Sequence, residues 1–246
     1  MPTEALLGGV TAVGVAGALV SAAYYGAVSH SATLFGRAVS NGPANRPAIA
    51  LTFDDGPSPG SLAIAQFLEA HDIKATFFQC GENVLRHPEI ARELQNAGHE
   101  IGNHTLTHRR LCPRIGWQLN LLSPQTILHE FSQAQEIIVE TTGAVPRVMR
   151  PPYGLRWRGV GAAQRELGLT TVLWSVIGHD WEWPAAQVAH HVVSNAGPGG
   201  IICLHDGRDT RSQPDIAETL KAVREIVPRL QDLGYRFETV SAIIRP

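Results

Sequence analysis

Two adjacent acids, Asp54 and Asp55, stand in the run TFDDGP (Thr52–Pro57), directly after the apolar stretch Ala48–Leu51. Neighbouring carboxylates repel, so a site that keeps both ionised supplies a cation or a cationic side chain. Further on, His104 and His108 are four residues apart in GNHTLTH (Gly102–His108). On a helical turn that spacing points both imidazoles one way, as a single divalent metal requires. Joined to a carboxylate from another strand end, they offer two nitrogens and one oxygen, with positions left for water and substrate. Catalytic zinc sites are commonly built this way. Asp55 is assigned as the third ligand and Asp54 as the base. Arg150 opens RPPYG (Arg150–Gly154), where Pro151 and Pro152 stiffen the backbone, and an arginine there can pair with Asp54 and aim it. His205, in LHD (Leu204–Asp206), closes the apolar run GGIIC and is either a satisfied core histidine or a general acid. Plainer readings stay open: an Asp-Gly turn with a helix cap for DDG, a capped or surface turn for the histidines, and a surface turn for RPPYG.

Such groups must be delivered by strand ends, and the pattern along the chain supplies them. The spacing predicts strands at about Ala48–Phe53, Ile73–Phe78, His99–Gly102, Arg147–Met149, Thr170–Val176, Gly200–Leu204 and Arg236–Val240. Between them it predicts helices near Leu62–His71 with Ser61 as N-cap, Glu89–Asn96 stopped at Gly98, Pro124–Thr141, Arg158–Leu167, Pro184–Asn195 and Pro214–Val227. Strands alternating with helices imply a parallel sheet. The expected fold is α/β: a distorted (β/α) barrel of about seven strands, with its chemistry on the loops after the strands' carboxyl ends. Every polar cluster named above falls just after a predicted strand.

The chain has 246 residues, 44% of them hydrophobic and 17% charged, which is enough to bury the core of one large domain. A formal net charge of −2 gives no electrostatic footprint for a nucleic-acid partner. Cys80, Cys112 and Cys203 form no C-x-x-C pair and read as buried free thiols, not a disulfide framework. Residues 1–46 read as an apolar N-terminal segment and linker, ending in the turn-rich Asn41–Pro47, and 47–246 as a single catalytic domain. Ala5–Val28 carries no Asp, Glu, Lys or Arg and exceeds the roughly 20 residues that span a bilayer. It reads as a membrane anchor or an uncleaved signal, against the alternative of an Ala/Gly-rich helix lying on the domain. No basic n-region precedes it, and the nearest basic residues, Arg37 and Arg46, follow it, so orientation stays open. The expected location is membrane-anchored or exported, with the cytoplasm as the alternative. The oligomeric state is left open.

Together these segments resemble the NodB-homology polysaccharide deacetylases, carbohydrate esterase family 4, over about Pro47 to Val240. TFDDGP is similar to the family's first motif, in which the first Asp is the base and the second a metal ligand. HTLTH (His104–His108) is similar to the second, whose two histidines bind metal. RPPYG resembles the third: by the resemblance Arg150 orients the base and the Tyr153 N–H helps hold the oxyanion. LHD resembles the fifth, which makes His205 the general acid and places Leu204 at the acetyl pocket. The fourth motif is imperfect, since Ile177 stands at the family's first acid while Asp180 and Trp181 are kept. The resemblance pairs Asp180 with His205. It implies metal-dependent removal of N-acetyl groups from chitin- or peptidoglycan-type glycans or a related glycoconjugate. The metal expected is zinc, with cobalt, nickel or manganese as alternatives. Rival readings are an O-acetyl esterase or a non-sugar amide hydrolase on the same scaffold, and an inactive carbohydrate-binding relative. Trp157, Trp181 and Trp183 can either stack on sugar rings or pack in the core. His99, His179, His190 and His191 are given no role.

Overall fold

The computed structural model describes residues 17–112 and 122–245. Helix α1 (residues 17–28) leads to β1 (Ala38–Val39), β2 (Ala48–Gly56), α2 (Ser61–Glu69) and β3 (Thr76–Gln79). Helices α3 (Gly81–Arg86) and α4 (Pro88–Asn96) follow, then β4 (Glu100–Asn103), α5 (Pro124–Thr142), β5 (Val148–Met149) and α6 (Val160–Leu167). The chain continues through β6 (Thr170–Val172), β7 (Val176–Ile177), α7 (Ala185–Asn195), β8 (Ile201–His205) and α8 (Ala217–Asp232), and closes with β9 (Arg236–Phe237) and α9 (Val240–Ile243).

All named strand pairs are parallel, in the order β1-β6-β5-β4-β3-β2-β8-β7, with β9 added on β2. Helices cover the outside, so β2 reads as a nearly continuous apolar run and is buried along its whole length. Ile49, Leu51 and Phe53 on one face of β2 join the large core beneath α2, α7 and α8. Ala48 and Ala50 on the other face meet Phe78, Val172 and Ile201, with Val240 and Ile243 of α9 in the same cluster. The same alternation puts Thr52 and Asp54 on that inner face.

The sheet is a curled half-barrel of eight strands along one path plus β9, where about seven were expected. The difference has two sources. β1 arises from the segment ahead of residue 47 and extends the edge beyond β6. The single strand expected over Thr170–Val176 is two, β6 on one flank and β7 on the other. Leu173–Ser175 cross between them, and the carbonyls of Val172 and Leu173 accept from the buried Arg150 guanidinium at 3.2 and 3.0 Å.

Two smaller expectations change. Ser61 starts α2 but does not cap it. Its hydroxyl donates to buried Asp206 Oδ2 at 2.5 Å, and Gly60 holds the cap position. The closing strand stops at Phe237, and Val240 begins α9. Cys80, Cys112 and Cys203 are buried free thiols.

The stretch read as membrane-spanning, 5–28, lies within the described residues only from 17 onward. Among the described residues no helix is long and apolar enough to cross a membrane. The end of α1 and the loop after it dock on the domain. Ala27, Val28 and Phe35 pack with Leu155, Cys112 and Trp157. Fully buried Arg156 donates from its guanidinium to the carbonyls of Ala32 (2.7 Å), Gly36 (2.8 Å) and Ser29, and from its main-chain N–H to Ala27 O.

Candidate active site

Asp54 lies at the carboxyl end of β2, opposite His205 of β8 in the ladder. Strand alternation sends Asp54 inward and would send Asp55 outward to the helices. A register shift between Asp54 and Gly56 and a left-handed φ of 72° at Asp55 turn the second acid into the same cleft. Asp55 Oδ1 then lies 3.3 Å from His104 Nε2 and 3.0 Å from His108 Nε2. The two histidines do not share a helical turn. Residues 104–110 form an irregular loop, with Thr105 and His108 at φ 70° and 55°. The loop is pinned by the Asn103 side chain, which accepts from the Thr105 N–H, and by buried Glu130, which accepts from Thr107.

The outer nitrogens of the two rings are committed. His104 Nδ1 is 2.7 Å from the Arg150 carbonyl, which can only accept, so Nδ1 donates there and Nε2 is the nitrogen turned toward the acids. That nitrogen faces Asp55 Oδ1, a buried oxygen that forms no well-aligned hydrogen bond. The set of two imidazole nitrogens and one carboxylate oxygen suits a divalent metal. The three donor atoms lie within 4.8 Å of one another. Burial pushes the Asp55 carboxyl up, but His104 and His108 outweigh it and hold the group well below the usual carboxylate range.

His108 has a partner that sequence reasoning missed. Its Nδ1 faces Asp209 Oδ1 at 2.8 Å, and the Asp209 N–H donates to Asp55 Oδ2 at 2.9 Å. Burial presses the His108 imidazole down, but Asp209 and Asp55 together raise it to about 10. In sequence Asp209 is one more acid in the turn GRDT, and nothing local separates it from a solvated loop residue. Trp174 was missed for a similar reason: inside an apparent strand it looks like core, whereas it lines the cleft from the β6–β7 crossing.

Asp54 borders this cluster, its Oδ2 3.9 Å from His104 Nε2. Its Oδ1 accepts from Arg150 Nη1 at 2.7 Å, and both side chains are buried. Arg150 also donates to Thr52 Oγ1 at 2.7 Å, and its guanidinium lies 4.2 Å over the Phe78 ring. On the other wall, His205 Nδ1 is 2.8 Å from Asp180 Oδ1, while Asp180 Oδ2 accepts from the His205 N–H and from Thr219. Burial alone would lower the His205 imidazole, but the Asp180 carboxylate raises it to about 9. His205 is therefore cationic at neutral pH.

These groups open onto one cleft of about 1100 Å³ that also takes in Tyr153, Ile177, Trp181 and Trp183. Tyr153 arrives from the turn after β5 at φ 60°, its ring edge against His108 and its hydroxyl 3.3 Å from Asp209. Trp181 stands half-exposed, its ring 5.0 Å from that of His205. Leu204 is fully buried in the core behind the cleft, where its Cδ2 would meet a Cβ at Gly178. Trp157 packs on Phe35, away from the site. Buried His99 accepts from the Ala75 N–H.

The sequence over residues 41–172 matches the polysaccharide deacetylase family model. The chain belongs to the polysaccharide deacetylase family. It is 36% identical over 203 residues to a chitooligosaccharide deacetylase of Azorhizobium caulinodans, covering 79% of this chain and 93% of that one. It is 37% identical over 207 residues to a peptidoglycan-N-acetylglucosamine deacetylase of Bacillus cereus, covering 82% and 91%. The crystal structure of the Bc1960 peptidoglycan N-acetylglucosamine deacetylase superposes with a TM-score of 0.75 at 31% identity, over 84% of this chain and 92% of that one. The half-barrel with its cleft at the strands' carboxyl ends is thus a polysaccharide deacetylase scaffold.

Proposed function

We propose that this polysaccharide deacetylase is a metal-dependent hydrolase that removes N-acetyl groups from N-acetylglucosamine-type glycans. The observation that carries the reading is the unpartnered Asp55 Oδ1 facing two imidazole nitrogens, beside a second, arginine-held acid. A divalent cation held by Asp55, His104 and His108, zinc first among the candidates, would supply Lewis acidity at the acetyl carbonyl and lower the pKa of nearby water.

The chain's own groups do the rest. Asp54 takes the proton from the attacking water, and Arg150 keeps it aimed. The Tyr153 main-chain N–H is assigned to the developing oxyanion. A C–O bond forms at the acetyl carbon and the C–N bond breaks. The cationic His205 gives its proton to the departing amine, so acetate and an amino sugar are the products. Ionised Asp180 holds the imidazole in place and keeps it charged. Retention of both acids and both histidines supports an active enzyme over a silent binding relative.

The test is acetate release from chitin oligomers, peptidoglycan and acetylated xylan, with and without a chelator. Release from the first two, abolished by the chelator, is expected. Release from xylan alone would move the assignment to an O-acetyl esterase. Asp54→Asn should abolish turnover with metal still bound, whereas His104→Ala or His108→Ala should lose the metal.

A further inference from the structure

The proposed chemistry leaves one buried side chain in the cleft without a task. Cys203, 1% exposed, lies on β8 between the two strand ends that carry Asp54 and His205, and it forms part of the cleft wall. Its thiol donates to Asp54 Oδ2, the oxygen that Arg150 does not hold, with Sγ 3.5 Å away, and a metal would take the place of that proton. Donor atoms of Asp54, Cys203 and His205 all lie within 4.8 Å of one another, a cluster distinct from Asp55, His104 and His108.

The spacing is that of a soft-metal site. A tetrahedral zinc with sulfur at about 2.3 Å and oxygen at about 2.0 Å sets the two ligands about 3.5 Å apart. The third ligand is already oriented, because Asp180 occupies His205 Nδ1 and leaves Nε2 for coordination. Carboxylate, thiolate and neutral imidazole together balance a divalent charge once the Cys203 thiol proton and the His205 Nε2 proton have both left to solvent.

We propose that Asp54, Cys203 and His205 form a second cation site, selective for thiophilic divalent ions such as zinc and cadmium, and that filling it switches the enzyme off. One ion there takes the base and the acid together, so the metal that activates the enzyme at one equivalent inhibits it in excess. Magnesium and calcium, which prefer all-oxygen ligands, do not fill it. The inhibition rests on the roles given to Asp54 and His205 above; the binding itself does not.

Cobalt(II) titration of the full chain without substrate tests the binding, since a cysteine ligand gives a thiolate-to-cobalt charge-transfer band that oxygen and nitrogen ligands lack. Two cobalt ions per chain are expected, the second bringing the band, and Cys203→Ser or Cys203→Ala should bind one and show no band. A wild-type chain that takes one ion without the band overturns the proposal while leaving the catalytic metal standing. A band that persists in both variants, and so comes from Cys80 or Cys112, overturns it too. Acetate release should fall at least tenfold as zinc rises above one equivalent, and excess magnesium should leave it unchanged. Equal zinc sensitivity in wild type and Cys203→Ser would overturn the switch. In crystals grown with excess cadmium, anomalous density is expected between the three side chains, and density at the Asp55 triad alone counts against the proposal without recourse to any variant.

Discussion

Replacing Asp209 with Asn isolates the contribution of one carboxylate to the proposed metal site. The main chain there is held twice over, its N–H on Asp55 Oδ2 and its carbonyl on the Asn83 side chain. Its φ of 50° is one that Asn tolerates as well as Asp, so the variant keeps the loop and loses only the charge facing His108. Removing the outer partner of a ligating histidine typically costs 10–100-fold in metal affinity. The Asp209 side chain is 48% exposed, so solvent already screens it and the low end applies. The expected loss is about tenfold, or about 1.4 kcal/mol. Calorimetric zinc titration in competition with a chelator measures it, with kcat read at saturating metal. Weaker binding with kcat restored by excess metal is the expected pattern, and Tyr153→Phe, which removes only a 3.3 Å contact to the same carboxylate, should leave the affinity unchanged. Unchanged zinc affinity in Asp209→Asn would refute the idea that this carboxylate holds the ligand.

Three further outcomes follow from the same geometry. In Asp180→Asn, His205 loses the main partner that lifts it to about 9, leaving only Asp55 and Asp54 to oppose burial, so its imidazole falls. The alkaline limb of the kcat profile, where the acid deprotonates, should therefore move down by about two pH units or more. Arg150→Lys cannot reach Thr52, Asp54 and the Val172 and Leu173 carbonyls at once. It should abolish turnover and cost on the order of 3 kcal/mol in denaturant unfolding, from buried acceptors left unpaired. Buried His99, held down at about 4 by its burial and by Lys74, refuses a proton that the unfolded chain accepts. Its contribution is complete above about pH 6.5 and is lost as pH falls toward 4, up to about 3 kcal/mol, and His99→Gln should flatten that part of the stability profile.

The residues that carry the proposed chemistry were legible because their types announce it: paired acids at the end of an apolar run, two histidines four apart, an arginine ahead of two prolines. Their conformations were not. The inward turn of Asp55 depends on a left-handed φ and a slipped register against β3, neither of which DDG spells out. The spacing of His104 and His108 suggested a helical turn, whereas an irregular loop tied to Asn103 and Glu130 presents them. Asp209 stayed hidden because its partner is a hundred residues away in sequence. Thr170–Val176 looks like a single strand because its apolar character is continuous. What divides it is Arg150, which takes the carbonyls of Val172 and Leu173.

The anchoring of the N-terminal segment by Arg156 has a mechanical result. A guanidinium holding three carbonyls, with Phe35 and Ala27 seated beside it, makes the passage from α1 to the sheet a stiff bracket and not a slack leash. The end of α1 is thereby tied to Leu155 and Arg156, the two residues that follow the turn carrying Tyr153.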